Sequence, residues 1–324
     1  MKFAPAVSSI SNSAPLLLSR RGVLRTLALS LGAASIPGWF VERNLFAADT
    51  DAPSFKATPV TDGITLITGA VCNILVINGD DGGVVIDSGI PDAATATASQ
   101  IAQVAPKLNL LVNTHWHFDH AGGNEKLAKA GARIIAHENC RKRLSTEQYN
   151  EFFDRKMAPS PHEALPVMTF TTETQLHVNG EDFRLIPVPP AHTDGDVIVH
   201  LQKANVVHMG DLYFQGIFPF IDYSSGGWIG GMVEGVKRGL PLTDAQTKII
   251  PGHGPVGTQD DLKSYLHFLE TMLERFEKLK AEGKTVDEAV AAAPTKDFDE
   301  KLAGSFIKPE QFVRFAYTGL LKHG

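Results

Sequence analysis

Residues 114 to 120 read Thr-His-Trp-His-Phe-Asp-His, which places three imidazoles and one carboxylate within six residues. The chain has only 12 histidines in 324 residues, so this local density is unusual. Imidazole nitrogens and carboxylate oxygens are ligands suited to zinc and its first-row neighbours. Alternate residues of an extended segment point to one side, so His115 and His117 can share a cation while Asp119 and His120 face a second position nearby. The spacing predicts a metal site.

Three further candidate ligands each follow a predicted strand. His192 lies in the turn Pro-Pro-Ala-His-Thr-Asp-Gly, Asp211 closes an apolar run, and His253 stands between two glycines that allow close backbone approach. Strand ends with turn residues are where α/β sheets place ligands. Each of the three alone is better explained as a surface histidine or a helix cap. Together with the first cluster, they predict a single site.

The surrounding pattern alternates short strands with amphipathic helices, which is typical of an α/β fold. The predicted strands lie at 63–68, 71–77, 84–86, 110–113, 133–136, 174–178, 182–188, 197–201, 206–209 and 248–250. The predicted helices lie at 93–104, 124–130, 137–144, 228–238, 260–281, 286–293 and 309–322. A further helix is predicted at 147–156, inside a polar insertion at 145–166. The pattern indicates one large domain, 49–324, with a helical C-terminal extension from about 258.

With these residues in this order, the chain resembles the metallo-β-lactamase superfamily of hydrolases over roughly residues 57 to 260. Asp87 also resembles the aspartate that supports a metal ligand early in that superfamily. The resemblance implies a four-layer αβ/βα sandwich with the metals in a groove at one edge of its two sheets. It further implies a first zinc held by His115, His117 and His192, a second held by Asp119, His120 and His253, and a bridge between them from Asp211.

The resemblance implies a metal-dependent hydrolase. Two cations about 3.5–4 Å apart can share a hydroxide that attacks a polarised carbonyl, and zinc lowers the pKa of bound water to roughly 7. Asp119 is the predicted catalytic residue because, with Asp211, it would offset the metal charge and orient the hydroxide. Zinc is the expected metal, two ions per chain, with iron or manganese as alternatives. The expected substrate is a small-molecule lactam, lactone, ester or thioester.

The substrate class stays open among several alternatives. Dedicated zinc β-lactamases usually carry cysteine or serine near the place of Asp211, whereas a bridging aspartate is similar to hydroxyacylglutathione hydrolases and lactonases. A glyoxalase II-like thioesterase and a sulfur-metabolising iron oxygenase are the alternatives. A flavin-partnered di-iron enzyme of this fold would carry a motif similar to His-x-Glu-x-Asp, but in this chain His117 occupies the position of the glutamate.

The aromatic, glycine-rich segment 212–227 is either a wall of the substrate site or packing beneath the last helices.

Residues 1 to 48 resemble a twin-arginine export signal. Arg20 and Arg21 lie in Ser-Arg-Arg-Gly-Val-Leu-Arg, a moderately apolar stretch follows at 27–40, and Ala47-Ala48 offers a cleavage point. The resemblance implies the twin-arginine export machinery as a partner and a periplasmic or secreted mature chain. Removing the segment's five basic residues and one acidic residue leaves 25 basic against 35 acidic, a net charge of −10. That balance argues against nucleic acid as a partner.

Other features of the sequence have ordinary interpretations. No apolar run reaches the 18 residues of a membrane span, so no stable membrane anchor is expected in the mature chain. Cys72 and Cys140 belong to no spaced ligand motif and are interpreted as small buried residues, with one disulfide left open. His208 falls on the opposite strand face from Asp211 by the period of two, so it is left out of the ligand set.

Overall fold

The computed structural model describes residues 54–302 and 306–323; the predicted export signal at 1–48 lies outside the described residues. The first sheet has seven strands, which are β1 (Lys56–Thr61), β2 (Ile64–Ala70), β3 (Cys72–Ile77), β4 (Gly83–Ile86), β5 (Leu108–Val112), β6 (Arg133–His137) and β9 (Met168–Phe170). The second sheet has five, which are β10 (Thr174–Val178), β11 (Glu181–Pro187), β12 (Val197–Leu201), β13 (Val206–Phe214) and β14 (Lys248–His253). In both sheets the strands pair in this order. A separate hairpin consists of β7 (Gln148–Asn150) and β8 (Arg155–Met157).

The helices lie mainly on the outer faces of the two sheets. They are α1 (Ala94–Val104), α2 (Phe118–Ala121), α3 (Asn124–Lys129), α4 (Glu138–Leu144), α5 (Ile229–Gly239), α6 (Gln259–Ala281), α7 (Val286–Ala291) and α8 (Pro309–His323). A capping box at Thr258 begins α6, where the Thr258 side chain accepts from Asp261 N and the Asp261 carboxylate accepts from Thr258 N.

The two sheets face each other across a shared hydrophobic core. Along β4, Val84 and Ile86 point into this core while Val85 points outward, to a second cluster that includes residues of α1 and α3. Along β11, Leu185 points inward and Ile186 packs outward among residues of α5, α6 and α8. Successive side chains of a strand point to opposite faces of the sheet. Because both faces are covered, the strands are apolar on both. The layers run helix, sheet, sheet, helix, which confirms the predicted α/β sandwich.

Parallel pairing brings several strand ends to one edge. β4 pairs parallel with β5, and β13 pairs parallel with β14. Because carboxyl ends of neighbouring parallel strands meet, Asp87 after β4 lies beside the segment that follows β5. Hydrogen bonds join the sheets at this edge; for example, Val197 N donates to Thr114 O at 2.9 Å, and Asn73 Nδ2 donates to Pro251 O at 2.8 Å.

The helix predicted at 147–156 is wrong, because this stretch forms the β7–β8 hairpin. Asn150 Oδ1 accepts from Phe153 N at 3.0 Å in the turn, and Asp154 adopts a φ of 46°. The Phe153 ring packs against Phe220 with centroids 5.1 Å apart. Tertiary packing and turn chemistry therefore outweighed the helical propensity of a charged segment.

The other predicted elements occur close to their expected positions, with three informative differences. β1 was not predicted because its residues are almost all exposed and lack a periodic apolar pattern. β13 continues to Phe214, so Asp211 lies inside a strand rather than at its end. β14 likewise extends to His253. The pairing of β13 with β14 is irregular around Gly210, which lets both strands continue into the site.

Both cysteines are buried free thiols, and burial raises the pKa of each. The disulfide left open by the sequence is therefore not formed between Cys72 and Cys140. Among residues 54–302 and 306–323, no helix combines the length and apolarity that crossing a membrane requires.

Candidate metal centre

The His-x-His-x-Asp-His segment turns from the end of β5 into the short helix α2. His115 and His117 precede the helix, and Asp119 and His120 lie within it. His117 O accepts from His120 N at 3.0 Å, which fixes this turn. All four residues are buried, so the segment lines the interior of the sheet edge rather than an open loop.

The remaining three predicted ligands arrive from the second sheet. His192 lies in the loop after β11, where its backbone N donates to Asp196 Oδ2 at 2.8 Å. Asp211 lies in β13 and His253 ends β14. A Cβ on Gly252 would lie 1.9 Å from Asp211 Oδ1. The glycine before His253 therefore makes room for the Asp211 carboxylate.

The structure brings all seven predicted residues together in two groups, and within each group the ligand atoms lie within 4.8 Å of one another. Asp211 lies between the groups, since its Oδ2 is 3.3 Å from His192 Nε2 and 3.4 Å from His253 Nε2. The first group contains His115, His117, His192 and Asp211; the second contains Asp119, His120 and His253.

The histidines of the first group each turn one nitrogen away from the centre. His117 Nε2 donates to Asp222 Oδ2 at 3.0 Å, and His192 Nδ1 donates to Phe220 O at 2.8 Å. His115 Nδ1 lies 3.1 Å from Thr114 Oγ1, whose own proton goes to Asp87 Oδ2 at 2.7 Å. The Thr114 hydroxyl therefore accepts from His115. These partners fix both the tautomer and the orientation of each ring.

The two histidines of the second group also donate a hydrogen bond from the nitrogen that faces away from the centre. His120 Nδ1 donates to Asp87 Oδ2 at 2.7 Å, and His253 Nδ1 donates to Val71 O at 3.2 Å. Asp87 Oδ1 also accepts from Thr114 N at 2.8 Å, so one buried carboxylate supports a histidine of each group. The supporting role expected for Asp87 is consistent with these bonds.

With its outer nitrogen donating, each ring presents a lone pair to the centre when it is neutral. His117 Nδ1 and His192 Nε2 are 2.8 Å apart, and the Nε2 atoms of His120 and His253 are 3.3 Å apart. Neutral rings at these distances repel unless a cation lies between them. His115 Nε2 is buried and has no hydrogen-bond partner among the described residues, which a native structure rarely tolerates without a ligand. The donors therefore fit a pair of divalent cations.

Two histidines of the first group have lowered pKa values, and both histidines of the second group have raised ones. Burial lowers the pKa of His115 well below its usual value and that of His192 to about 4. Burial also opposes the charged form of His253, but Asp211 and Asp119 raise its pKa to about 10. His120 has a raised pKa for a similar reason: burial opposes its charged form, but Asp211 and the other acidic groups around it together outweigh that effect. Without metal, the second group therefore holds protons and the first group offers neutral nitrogens.

Two residues that support ligand histidines have a left-handed backbone. Asp87 has a φ of 61° and Val71 a φ of 76°, a region that disfavours a β-branched residue in particular. Such strain costs about 1–3 kcal/mol and concentrates at functional sites. The strained residue Val71 is also the one whose backbone carbonyl accepts the hydrogen bond from His253. The sequence carried no signal for this role, because any residue can supply a backbone carbonyl.

Asp222 is a second functional residue that the sequence did not identify as such. Its Oδ2 accepts from His117, and its Oδ1 accepts from Asn150 Nδ2 at 3.2 Å and from Ser224 N at 3.0 Å. Although burial opposes ionisation, the hydrogen bond from His117 holds the pKa of Asp222 below its usual value. Asp222 therefore ties the β7–β8 hairpin to a ligand histidine, a contact across 105 residues that no local pattern reveals.

The aromatic segment 212–227 is largely packing rather than an open substrate wall. Phe218 is fully buried against Phe312 beneath the last helices. Phe214 stacks on the His253 ring with centroids 5.4 Å apart, and Phe220 lies 6.0 Å from the ring of His117. These rings back the imidazoles and exclude water behind them.

Comparison with known proteins identifies the family. The model of the metallo-beta-lactamase superfamily matches residues 67–275 of this chain. The chain therefore belongs to the metallo-beta-lactamase superfamily, and the prediction of a metal-dependent hydrolase of this superfamily is confirmed.

Curated relatives are similar at low identity. A hydroxyacylglutathione hydrolase of Prochlorococcus marinus is 24% identical over 231 residues, 67% of this chain and 77% of that protein. An acyl-coenzyme A thioesterase of Gallus gallus is 24% identical over 61% of this chain and 80% of its own length. The alpha subunit of a 2,4-dinitroanisole O-demethylase of Nocardioides sp. is 26% identical over 51% of this chain, and the match spans 48% of that subunit.

Solved structures share the fold. A metallo-beta-lactamase from Pontibacter korlensis superposes with a TM-score of 0.55 at 20% identity, covering 67% of this chain and 99% of its own. The sec-alkylsulfatase Pisa1 from Pseudomonas sp. superposes with a TM-score of 0.60 at 17% identity, and the match covers 82% of this chain and 50% of the sulfatase chain. At these identities the likeness concerns the fold alone.

Metal binding at the second group should release protons. The surrounding carboxylates raise the pKa of His120 and of His253 in the metal-free protein, whereas burial lowers the pKa of His115 and of His192. We expect calorimetry in buffers of different ionisation enthalpy to show proton release with the second cation, and an affinity there that rises with pH. A second cation that binds without proton release would contradict this charge distribution.

Proposed function

We propose that this protein is an exported dinuclear zinc hydrolase that cleaves the carbonyl–heteroatom bond of a small molecule. The observation that carries the proposal is the set of five imidazoles whose outer nitrogens are all engaged, so that their inner nitrogens converge on both sides of Asp211. Membership of the superfamily supports hydrolysis as the reaction class.

When bound, two zinc ions would supply Lewis acidity and an activated water near neutral pH. The residues of the chain provide charge and orientation. Burial opposes ionisation of Asp211, but His253 and His120 hold its pKa well below the usual range, so it can serve both groups as a carboxylate. Asp119 is likewise ionised, with its pKa lowered to about 2 by His120 and His253 despite burial. Its carboxylate can accept a hydrogen bond from the attacking water and align it with the carbonyl.

Among carbonyl substrates, thioesters, esters and lactones have the strongest support. Two relatives bear the names hydroxyacylglutathione hydrolase and acyl-coenzyme A thioesterase, and each matches more than three quarters of its own length. Asp211, rather than cysteine or serine, occupies the position between the two groups. The lactamases that share the fold support a β-lactam substrate only through architecture.

Metal analysis of the mature chain, followed by a hydrolysis screen, tests this function. We expect about two zinc ions per chain, with turnover of at least one thioester, ester or lactone and slower turnover of β-lactams. One iron per chain with no hydrolysis would instead support the oxygenase alternative. Two bound zinc ions with no turnover of any of the four classes would support a binding protein.

Removing a ligand should abolish turnover without unfolding the chain. Asp119→Ala and His115→Ala should each lower kcat/KM by at least about 10²-fold, because several kcal/mol of transition-state stabilisation depend on the metal pair. His177→Ala is the matched control, because its imidazole is exposed and contacts Asp182 outside the centre. Circular dichroism checks the fold. Near-normal turnover in either ligand variant, loaded with metal, would refute the assigned roles.

Export rests on the twin-arginine motif. In the full-length chain, replacing both arginines (Arg20→Lys with Arg21→Lys) should retain the protein in the cytoplasm of a twin-arginine-competent bacterium. Arg43→Lys, in the same N-terminal segment but outside the motif, should leave export unchanged. Fractionation followed by immunoblotting measures both, and periplasmic accumulation of the double variant would exclude this route.

A further inference from the structure

Two exposed apolar side chains lie beside one ligand of the metal centre. Val71 is 50% exposed and Phe306 is 40% exposed. The Val71 carbonyl accepts from His253 Nδ1 at 3.2 Å, and the centre of the Phe306 ring lies 6.2 Å from that of the imidazole. Only six large hydrophobic residues among 54–302 and 306–323 are exposed, so two beside one ligand are a local concentration.

Solvent reaches the metal centre at the same ligand. Asp119 and His253 are each 8% exposed, which is the highest exposure among the seven ligand residues. Their side chains are adjacent, with Asp119 Oδ2 at 3.3 Å from His253 Nε2. A substrate that reaches the centre at these two ligands therefore lies beside Val71 and Phe306.

Val71 has a backbone conformation that its own side chain disfavours. It alone joins Ala70 to Cys72, which are paired across the β2–β3 turn, and its φ is 76°. This left-handed region is unfavourable for a residue with a Cβ, and most of all for a β-branched one. Glycine would adopt the same φ without strain and would keep the carbonyl that binds His253. The fold therefore requires the backbone of Val71 but not its isopropyl group.

The isopropyl group also gains little from the folded protein. An apolar side chain stabilises a fold by leaving water, and half of the surface of Val71 remains in water. Strain of this kind concentrates at functional sites, and exposed apolar surface marks places where another molecule binds. A bound molecule that covers Val71 and Phe306 would account for both the strain and the exposure.

We propose that Val71 and Phe306 form an apolar contact surface for the substrate, and that they select a carbonyl compound with an alkyl or aryl group next to the scissile bond. The inference rests on the proposed hydrolase function and specifies the substrate class of that site. His253 fixes the surface relative to the centre, because one residue binds its Nδ1 and the other packs against its ring. Each methylene group of the substrate that is buried there should favour binding by about fourfold.

Two substrate series test this selection on the zinc-loaded protein. The acetate, butyrate and hexanoate esters of 4-nitrophenol vary the acyl group, and the thioacetates of ethanethiol, butanethiol and hexanethiol vary the leaving group. We expect kcat/KM to rise by about two- to fourfold per methylene group in at least one series, chiefly through KM. Val71→Gly and Phe306→Ala should each reduce this rise, and the double variant should nearly abolish it. Phe306→Leu should retain part of it.

Val167→Gly is the matched control for Val71→Gly. Val167 is 69% exposed and directly precedes β9, which lies four strands from β3 in the first sheet. The control therefore removes an exposed isopropyl group at a distance from His253. It should leave the chain-length dependence of both series unchanged.

The thermal stability of Val71→Gly separates a binding role from a structural one. Because glycine relieves the left-handed strain and retains the carbonyl, we expect the melting temperature to stay the same or to rise, with the zinc content unchanged. Differential scanning calorimetry and metal analysis measure the two quantities. A melting temperature lower by more than about 2 °C would show that the isopropyl group stabilises the fold, and would overturn the inference.

Binding without turnover provides a further readout. Alkanoates and alkanethiols of two, four and six carbons, which are the two kinds of product of a thioester, are titrated into the zinc-loaded protein by calorimetry. We expect Kd to fall with chain length in at least one of the two series. The double variant of Val71→Gly with Phe306→Ala should lose this trend.

The outcomes separate the two proposals. Hydrolysis of no member of either series, nor of any compound in the wider screen, would overturn the proposed function. Hydrolysis that is independent of chain length, or whose dependence persists in the double variant, would overturn the apolar contact surface and leave the function intact. A double variant that changes only the oligomeric state, measured by light scattering, would do the same, because it would assign the two residues to a contact between copies.

Discussion

The metal centre depends on five buried imidazoles whose inner nitrogens crowd one another around Asp211, an arrangement that is repulsive in the absence of metal. Each of the five rings gives its outer N–H to a fixed acceptor, and two pairs of inner nitrogens approach to 2.8 and 3.3 Å. Protein packing alone does not explain His115 Nε2, which has no hydrogen-bond partner among the described residues although buried polar atoms normally find one. Cations remove the repulsion, and Asp211 lies where it can neutralise charge on both sides. Affinity for divalent metal is therefore a property of how the fold orients these rings.

The fold achieves this orientation with elements far apart in sequence. Parallel strand ends in the first sheet place Asp87 under Thr114 and His120, while β13 and β14 bring Asp211 and His253 from the second. The acceptors on the outer nitrogens come from four different segments, and two of them stand on or beside strained backbone. Such strain persists only where surrounding packing fixes it, and here the two facing sheets and the aromatic rings behind the imidazoles provide that packing.

The sequence predicted the ligands better than it predicted their surroundings. His115 to His120 share a local spacing, and His192, Asp211 and His253 each follow or close an apolar run in the sequence, so side-chain type and local pattern are sufficient to find them. Asp222 and Val71 act through contacts that span more than a hundred residues, one of them through a backbone carbonyl. The charged composition of residues 147–156 predicts a helix, whereas the structure of the β7–β8 hairpin depends on Asn150 and on packing against Phe220. Long-range hydrogen bonds leave no periodic pattern in the sequence, so local sequence patterns do not reveal this part of the site.

We propose that the seven side chains enclose two metal ions. Anomalous diffraction at the zinc edge, from crystals of the protein prepared without chelator, tests this. We expect two peaks about 3.5–4 Å apart, one beside the inner nitrogens of His115, His117 and His192, and the other beside Asp119, His120 and His253. A map with no anomalous peak at full zinc saturation, with rings rotated so that their inner nitrogens bond to protein groups, would contradict the claim.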